Sequence, residues 1–368
     1  MKIYNHDITL YTHDQHISTR LYSGRALCLT TPADKIQIHP ELAPEWDAIA
    51  AHYQQIGIDH THDVIWDVTI PRLEKELAHD PARELSVYFF GDVVNNHDTY
   101  RSVFQSWDAQ CRQVIEFVNS KNNFISLAEE LGIAVPKTLR FEHLAAAQAC
   151  DQVPFPCYLK PAVSDHGAGI MRCPDAEALA RAFDQLAPQV PLQIQAEVNA
   201  SAFLNLQYQV TAAGVEPLLV SEQILDGCVH GGNRYPASHE PWDAVAPFAQ
   251  WMEKSGMKGI FAVDVAVVPE GNQTHYVAIE CNPRFNGSSY PTLVAKQLNI
   301  PAWSSATYPT QLRSTQELKL QDLAFNATTG KGVILINWGT IQAGKVSVLL
   351  AGSAQEQAEL GQELQARL

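Results

Sequence analysis

The chain has 368 residues, of which 46% are hydrophobic and 18% are charged, a balance typical of globular proteins. This length suggests two or three lobes rather than one compact core. The formal net charge is −15, and no dense run of Lys and Arg offers a local basic patch. A nucleic acid partner is therefore not expected.

The cysteines and the amino-terminal residues bear on the cellular compartment. The seven cysteines are scattered, odd in number and never spaced C-x-x-C, which argues against a disulfide framework and a zinc ribbon. The first residues, MKIYNHDITLYTHD, are polar where a secretory signal would be apolar. No stretch approaches the ~18 consecutive apolar residues of a membrane-spanning helix, so no membrane association is expected. These features predict a cytoplasmic protein and leave a homodimer open.

The first part of the chain, residues 1–118, carries the least specific signal. The apolar run 86–90 predicts a buried strand, and the apolar spacing within 45–56 predicts a helix. Alternation of strands and helices suggests an α/β lobe. The dinucleotide fingerprint G-x-G-x-x-G is absent, and the many histidines show no clear spacing for metal ligands.

From residue 120 onward the patterns are sharper. An apolar-periodic run over 124–131, preceded by Ser120 and followed by Gly132, predicts a helix with its start and stop signals. Further elements follow in chain order. They are a strand at 155–159, a helix at 177–186, a strand at 192–196, hairpins at 205–222 and 259–280, strands at 333–338 and 345–351, and a helix from 355.

The strongest chemical signal is the group formed by Asp264, Glu280 and Asn282. Residues i and i+2 of a strand share a face, so Glu280 and Asn282 are expected on the same side. Asp264 belongs to the neighbouring strand of the predicted hairpin. Two carboxylates and an amide oxygen form an all-oxygen site of the kind that suits Mg²⁺ carrying phosphates. The alternative interpretation is that both carboxylates pair with nearby Arg or Lys.

A second signal lies at Lys160, which ends the apolar run Tyr158-Leu159-Lys160 and is followed by PAVSDHGAG. A loop of small residues lets backbone N–H groups approach phosphate oxygens. A lysine at the base of that loop supplies a point charge for phosphate. The alternative interpretation is an ordinary hairpin turn.

In this order, the segments from 120 to 298 resemble the ATP-grasp superfamily, and Glu280-Cys-Asn-Pro-Arg284 is similar to its E-x-N-x-R element. The continuation from Asn286 to Pro291 resembles the branch of carboxylate–amine ligases that act on amino acids or peptides. By resemblance, Lys121 and Lys160 contact the nucleotide phosphates. The remaining nucleotide-binding positions implied by the resemblance are Ser164, His166, Gly167 and Gly169 of the mobile loop, Gln195, Glu197 and Val198 of the adenine hinge, and Asn205 at the ribose.

The same resemblance implies roles around the reacting groups. Asp264, Glu280 and Asn282 match the metal ligands, Lys160 and Arg284 the catalytic residues. Arg284 is expected to face the reacting phosphate or the acyl oxygens. Substrate contacts are expected from Arg284 itself and from Arg234, Asn286 and Ser288. Two departures concern the nucleotide: Gln195 and Asn205 stand where many members carry an acidic residue.

The implied fold is α+β and of the ATP-grasp type. It would have an N-terminal α/β (pre-ATP-grasp) lobe at 1–118, an ATP-grasp core at 119–300 with a small lid lobe at about 148–212, and a strand–strand–helix unit at 301–368 that completes the larger C-terminal lobe. The implied cofactors are ATP and Mg²⁺, and the implied partners are a small-molecule carboxylate and an amine. Joining them through an acyl phosphate would release ADP and phosphate.

Two other functions remain open at this point. The same ATP site would serve a carboxylase or a phosphotransferase, and a regulatory module would bind nucleotide without turnover. The segment 226–239, DGCVHGGNRYPASH, is predicted to be a loop, either covering substrate with Arg234 or lying plainly on the surface. Ligation of a metal by His230 and His239 is a further alternative for this segment.

Overall fold

The computed structural model describes residues 1–9, 19–91, 98–164, 169–227 and 229–368. Helices within these ranges are α1 (Trp46–Ile56), α2 (Ile70–His79), α3 (Asp98–Asn119), α4 (Lys121–Glu130), α5 (Leu144–Gln148), α6 (Ala176–Phe183), α7 (Trp242–Lys254), α8 (Ser289–Gln297) and α9 (Ala354–Gln365). Short 3-10 helices cover Thr19–Leu29, Pro40–Glu45, Thr315–Glu317 and Gly339–Ala343.

The strands occupy the positions between these helices. They are β1 (Lys2–Asn5), β2 (Lys35–Gln37), β3 (Val64–Ile65), β4 (Glu84–Val87), β5 (Thr138–Phe141), β6 (Cys157–Pro161), β7 (Met171–Cys173), β8 (Leu192–Ala196), β9 (Ala202–Thr211), β10 (Gly214–Asp226), β11 (Val229–Tyr235), β12 (Gly259–Glu270), β13 (Gln273–Asn282), β14 (Trp303–Pro309), β15 (Gly332–Asn337) and β16 (Lys345–Ala351).

The chain divides into two compact units. The first comprises Met1–Phe89, Gly231–Pro236 and Phe285–Leu368, and the second comprises Phe90–His230 and Ala237–Arg284. The three segments predicted from the sequence, 1–118, 119–300 and 301–368, follow a different division and stay a prediction. No described helix is both long and apolar enough to cross a membrane.

In the first unit, four parallel strands lie in the order β3-β2-β1-β4. The carboxyl-terminal part of the chain packs against this lobe through buried hydrogen bonds. The Tyr53 hydroxyl on α1 donates to the Leu335 carbonyl at 3.0 Å, and the Trp338 indole N–H donates to the Gly24 carbonyl at 3.0 Å. Strands β14, β16 and β15 pair antiparallel, and β11 joins β14 through Arg234 and Ser304.

The second unit holds two antiparallel sheets. The smaller has the order β5-β8-β6-β7, and its apolar face, which includes Leu159 and Ile194, packs against α5 and α6. In the larger group, β13, β12, β9 and β10 pair in that order. Its buried side chains include Tyr208 and Phe261, whose rings stack at 5.1 Å, with Phe248 of α7 against them.

Several sequence predictions are confirmed and one is wrong. Both predicted hairpins are present as β9–β10 and β12–β13, and the helix that was predicted to stop at Gly132 is α4, where Gly132 has a φ of 72°. The predicted loop at 226–239 is instead largely strand, because Arg234 and Tyr235 of β11 pair with β14. The alternation of small and polar residues there concealed a strand signal.

Candidate active site

Strand pairing brings the predicted carboxylates together on β12 and the edge strand β13. Asp264 lies directly opposite Glu280 on β13 and opposite Asn205 on β9. Like charges that face each other across a ladder repel, so this pairing needs compensation from neighbours. Glu280 keeps 27% of its side chain exposed, which leaves the pair open to a ligand.

Neutral amides surround Asp264. Asn205 and Gln223 donate to its Oδ1 at 2.7 Å each, and Asn282 donates to its Oδ2 at 3.0 Å. Burial and the facing Glu280 charge raise the pKa of Asp264, against the opposing effects of the Asn205 hydrogen bond and the Arg284 charge. Burial and the facing Glu280 therefore shift Asp264 toward its protonated form in the absence of a cation.

Cations compensate Glu280. The Lys121 ammonium lies 3.2 Å from its Oε2, and Lys121 begins α4, which packs against β13. Burial alone would raise the pKa of Glu280, but Lys121, Lys160 and Arg284 outweigh it and hold the pKa below its usual range. The pKa values of the two carboxyl groups therefore shift in opposite directions, because the lysines act mainly on Glu280.

The two predicted phosphate lysines are both buried and both held. Lys121 Nζ donates to Ser164 Oγ at 3.1 Å, and Lys160 Nζ donates to Gln195 Oε1 at 2.7 Å. Lys160 also lies 5.7 Å from the centroid of the Tyr158 ring. These contacts orient two ammonium groups at the end of β6 and the start of α4, and the phosphate contacts of both lysines stay predictions.

The residues of the predicted adenine hinge lie at the end of β8 and directly after it, and their side chains are hydrogen-bonded. The Gln195 amide bridges Lys160 and the Thr138 hydroxyl, the latter at 3.1 Å. Glu197 accepts two hydrogen bonds from Arg172, at 2.7 and 2.8 Å, and one from the Tyr158 hydroxyl. Its pKa is held below the usual range chiefly by Arg172. The nucleotide contacts of Gln195, Glu197 and Val198 stay predictions.

Other predicted residues are placed as follows. Gly169 has a φ of 73° at the end of the predicted mobile loop, whereas His166 and Gly167 lie outside the described residues. Asn205 lies beside the carboxylates, and its ribose role stays a prediction. Arg234, Asn286 and Ser288 belong to the first unit, where Asn286 Oδ1 accepts from the Ser288 and Ser289 N–H groups at the start of α8.

Three contacts were not anticipated from the sequence. Gln223 joins the amides around Asp264, Asn119 accepts from Arg284 Nη1 at 3.1 Å, and Arg172 holds Glu197. Gln223 directly follows the predicted strand 216–222. It comes near Asn205 through the pairing of β10 with β9, in which Ser221 lies opposite Asn205. Asn119 immediately precedes the Ser120-Lys121 pair, and that adjacency is the only hint in the sequence.

No group of three or more His, Cys, Asp and Glu side chains is arranged for a metal ion in the described ranges. The predicted set has two carboxylates and one amide, so a metal there would depend on amide oxygen. A buried acceptor supports this chemistry, since Asn205 Oδ1 has no hydrogen-bond partner among the described residues. The donor set therefore fits a hard, oxygen-liganded cation.

A polar cleft of about 390 Å³ on the first unit contains none of the predicted residues. Most of its charged lining is paired, since Lys35 lies 3.0 Å and Arg72 2.7 Å from the Glu76 carboxylate. Such mutual compensation is typical of a solvated ion-pair groove rather than a reactive centre. The chemistry therefore points to the carboxylate and lysine group of the second unit.

Comparisons with known proteins now bear on this geometry. No protein-family profile matches the chain, and no curated protein sequence matches it significantly. An ADP complex of N5-carboxyaminoimidazole ribonucleotide synthetase superposes with a TM-score of 0.64 at 13% identity, covering 98% of this chain and 94% of that one. The chain has the ATP-grasp fold. The mixed α and β fold predicted from the E-x-N-x-R segment and its neighbours is thereby confirmed.

Two further ATP-grasp structures agree. The N5-carboxyaminoimidazole synthetase of Staphylococcus aureus, complexed with ADP, has a TM-score of 0.63 at 11% identity and covers 95% of this chain and 94% of its own. The L-amino acid ligase of Bacillus licheniformis has a TM-score of 0.59 at 12% identity and covers 100% of this chain and 96% of its own. The fold is therefore shared along nearly the whole chain.

The position of Lys160 leads to a first prediction. Lys160→Met keeps most of the stem's volume and removes the charge expected opposite phosphate. The Kd for ATP, measured by calorimetry, should rise about tenfold or more. The Tm without ligand should stay close to that of the parent.

The matched control is Lys258→Met in the same unit. Lys258 is 73% exposed and pairs with Asp108, so its loss should leave ATP affinity unchanged. If Lys160→Met binds ATP as tightly as the parent does, Lys160 is not a phosphate ligand.

Proposed function

We propose that this protein is an ATP-dependent ligase that joins a carboxylate to an amine through an acyl phosphate and releases ADP and phosphate. The proposal rests on one arrangement of charges. Asp264 and Glu280 face each other on adjacent strands, and the positive charges of Lys121 and Lys160 act on Glu280 and lower its pKa. A nucleotide-binding module without turnover would not require both a cation site and this asymmetric charge distribution.

Asp264, Glu280 and Asn282 would hold Mg²⁺. Rotation of the Asn282 amide would exchange the nitrogen that now donates to Asp264 for an oxygen ligand. When bound, the ion would neutralise phosphate charge beside the two carboxylates. The unpartnered Asn205 Oδ1 supplies a further acceptor for a water or hydroxyl group at the same place.

The chain's own residues position and stabilise charge. Lys121 and Lys160 would bind phosphate oxygens of ATP, and a substrate carboxylate oxygen would attack the γ-phosphorus as ADP leaves. The amine would then attack the acyl carbon, losing a proton and expelling phosphate. Arg284, oriented by its hydrogen bond to Asn119, would stabilise the oxyanion that forms during this second step.

A carboxylase is the second candidate. Two of the similar structures are synthetases whose named product, N5-carboxyaminoimidazole, carries a carboxyl group on an amine nitrogen. In that reaction bicarbonate would take the place of the organic carboxylate, with the same attack on ATP. Dependence on added bicarbonate separates the two candidates, since the amide-forming reaction needs none.

The products test the proposed reaction class. When amino acids and small carboxylates are screened as substrates, the active pairs should release one ADP and one phosphate for each amide formed. Chromatography of the nucleotides and a phosphate assay measure both. Formation of AMP and pyrophosphate would instead place the protein among adenylating enzymes.

The metal site leads to a second mutational prediction. Glu280→Gln keeps the side-chain shape but removes one negative charge, so turnover should fall by about 100-fold or more. The folded state should persist by circular dichroism. Glu129→Gln is the control, because Glu129 forms a surface pair with Arg140 and is 44% exposed. Near-normal turnover of Glu280→Gln would show that the carboxylates form a structural ion-pair group.

Arg284→Lys tests the arginine in the second step. Lysine keeps the charge but lacks the planar fork that addresses two oxygens. ATP should still bind, and kcat should fall much more than the KM for ATP changes. Hydroxylamine trapping should still detect acyl phosphate in this variant. Coupling at the parental rate would mean that Arg284 serves only as a counter-ion.

A further inference from the structure

A buried arginine in the first unit forms no ion pair with another described residue. Arg25 lies in the 3-10 helix Thr19–Leu29 and is 6% exposed. Its guanidinium carbon lies 4.5 Å from the Tyr290 ring centroid, 4.6 Å from that of Tyr88 and 5.1 Å from that of Tyr22. Three tyrosine rings therefore surround the charge, and Tyr22 is the one that remains partly exposed.

Two of the three guanidinium nitrogens of Arg25 are not satisfied. Its Nε and Nη2 atoms are buried and have no acceptor among the described residues. Asp7 is a nearby buried carboxyl group whose charge interacts with that of Arg25, but the two form no ion pair at contact distance among the described residues, and Asp7 Oδ1 accepts from the Thr9 hydroxyl at 2.9 Å. A structural salt bridge therefore does not explain the burial of Arg25.

The physics of this arrangement favours a ligand. A guanidinium does not lose its proton in proteins, so burial cannot neutralise Arg25 as it neutralises His6. Cation–π contacts offset only part of the cost of removing a charge from water. An oxyanion that accepts from Nε and Nη2 would supply both the missing charge and the missing acceptors.

A second unsatisfied donor is the chain neighbour of a residue in the same ring cluster. Phe285 packs against His6 at 4.4 Å and against Tyr290 at 5.5 Å, and Asn286 follows it directly in the chain. Ser288 and Ser289 hold Asn286 Oδ1, while Asn286 Nδ2 is buried without a hydrogen-bond partner among the described residues. Because backbone N–H groups hold its oxygen, the Asn286 amide presents its NH₂ group, which can donate a hydrogen bond to an anion.

We propose that Arg25, with Asn286 Nδ2, binds an oxyanion group of a substrate, either a carboxylate or a phosphate. As a substrate contact, this assignment rests on the proposed ligase function. As an anion site it rests on the first unit alone. A ligase that acts on an amino acid would place a carboxylate here, and one that acts on a ribonucleotide would place a phosphate here.

Stability and anion binding test the site without knowledge of the substrate. Arg25→Met keeps the apolar stem among the tyrosine rings and removes the uncompensated charge. In buffer with chloride as the only small anion, its Tm should equal or exceed that of the parent. Inorganic phosphate or acetate, added at constant ionic strength, should raise the Tm of the parent more than that of the variant.

The difference between parent and variant decides the result, since Lys121 and Lys160 remain available to phosphate in both. A larger response to phosphate than to acetate identifies a phosphate-bearing ligand, and the reverse identifies a carboxylate. Arg20→Met is the control, because Arg20 lies on the same 3-10 helix in an exposed pair with Glu41. It should respond to both anions as the parent does.

Two results would overturn the site. One is a clear loss of Tm in Arg25→Met in chloride buffer, which would mark Arg25 as a structural cation. The other is an identical anion response in parent and variant, which would mean that Arg25 binds no anion. Either result leaves the ligase reaction untouched, because ADP release is measured separately.

Where the screen finds an active substrate pair, Arg25→Met should raise the KM of one substrate by about 30-fold or more, as expected for loss of a buried charged contact. The KM for ATP should not change. If the parent releases no ADP with any pair, the proposed function fails, but the anion response of Arg25 still stands or falls by its own measurement.

Discussion

Two carboxylates oppose each other across adjacent strands, and the second unit is arranged around their repulsion. Glu280 is compensated by the Lys121 ammonium at 3.2 Å, whereas Asp264 receives hydrogen bonds from neutral amides. Neutral donors stabilise a carboxylate but cancel none of its charge. The pair therefore has its cations on the Glu280 side, and the strand register that places the two carboxyl groups together also fixes where a metal ion can bind.

The lysines show how neighbouring side chains orient a buried charge. Lys160 donates to the neutral Gln195 oxygen, a contact that sets the direction of the ammonium without cancelling its charge. Lys121 divides its contacts between Ser164 and Glu280, so it joins the loop after β6 to the carboxylate strand. A phosphate that arrives at these lysines would meet preoriented groups, which lowers the cost of binding.

The sequence predicted those parts of the site that depend on local pattern. Glu280 and Asn282 share a face because they are two residues apart on a strand, and the turn after Glu270 places Asp264 opposite Glu280. Gln223 and Asn119 could not be predicted in the same way, since their contacts depend on the pairing of β10 with β9 and on the end of α3. The wrong loop at 226–239 has the same cause, because β11 becomes a strand through pairing with the distant β14. Arg25 was not predicted, because no sequence motif marks it. Its burial in the structure is what distinguishes it from the surface arginines.

Each unit contains charge that its described residues do not fully compensate, and the two charges have opposite sign. The facing carboxyl groups of Asp264 and Glu280 supply negative charge in the second unit, and Arg25 carries positive charge among tyrosine rings in the first. Both arrangements reduce the stability of the free protein relative to an apolar or fully paired alternative. Proteins tolerate such costs mainly at functional sites, where a ligand restores the balance. A reaction between a metal–nucleotide complex and an anionic acid supplies a cation for the first charge and an anion for the second, so one function accounts for both departures from charge pairing.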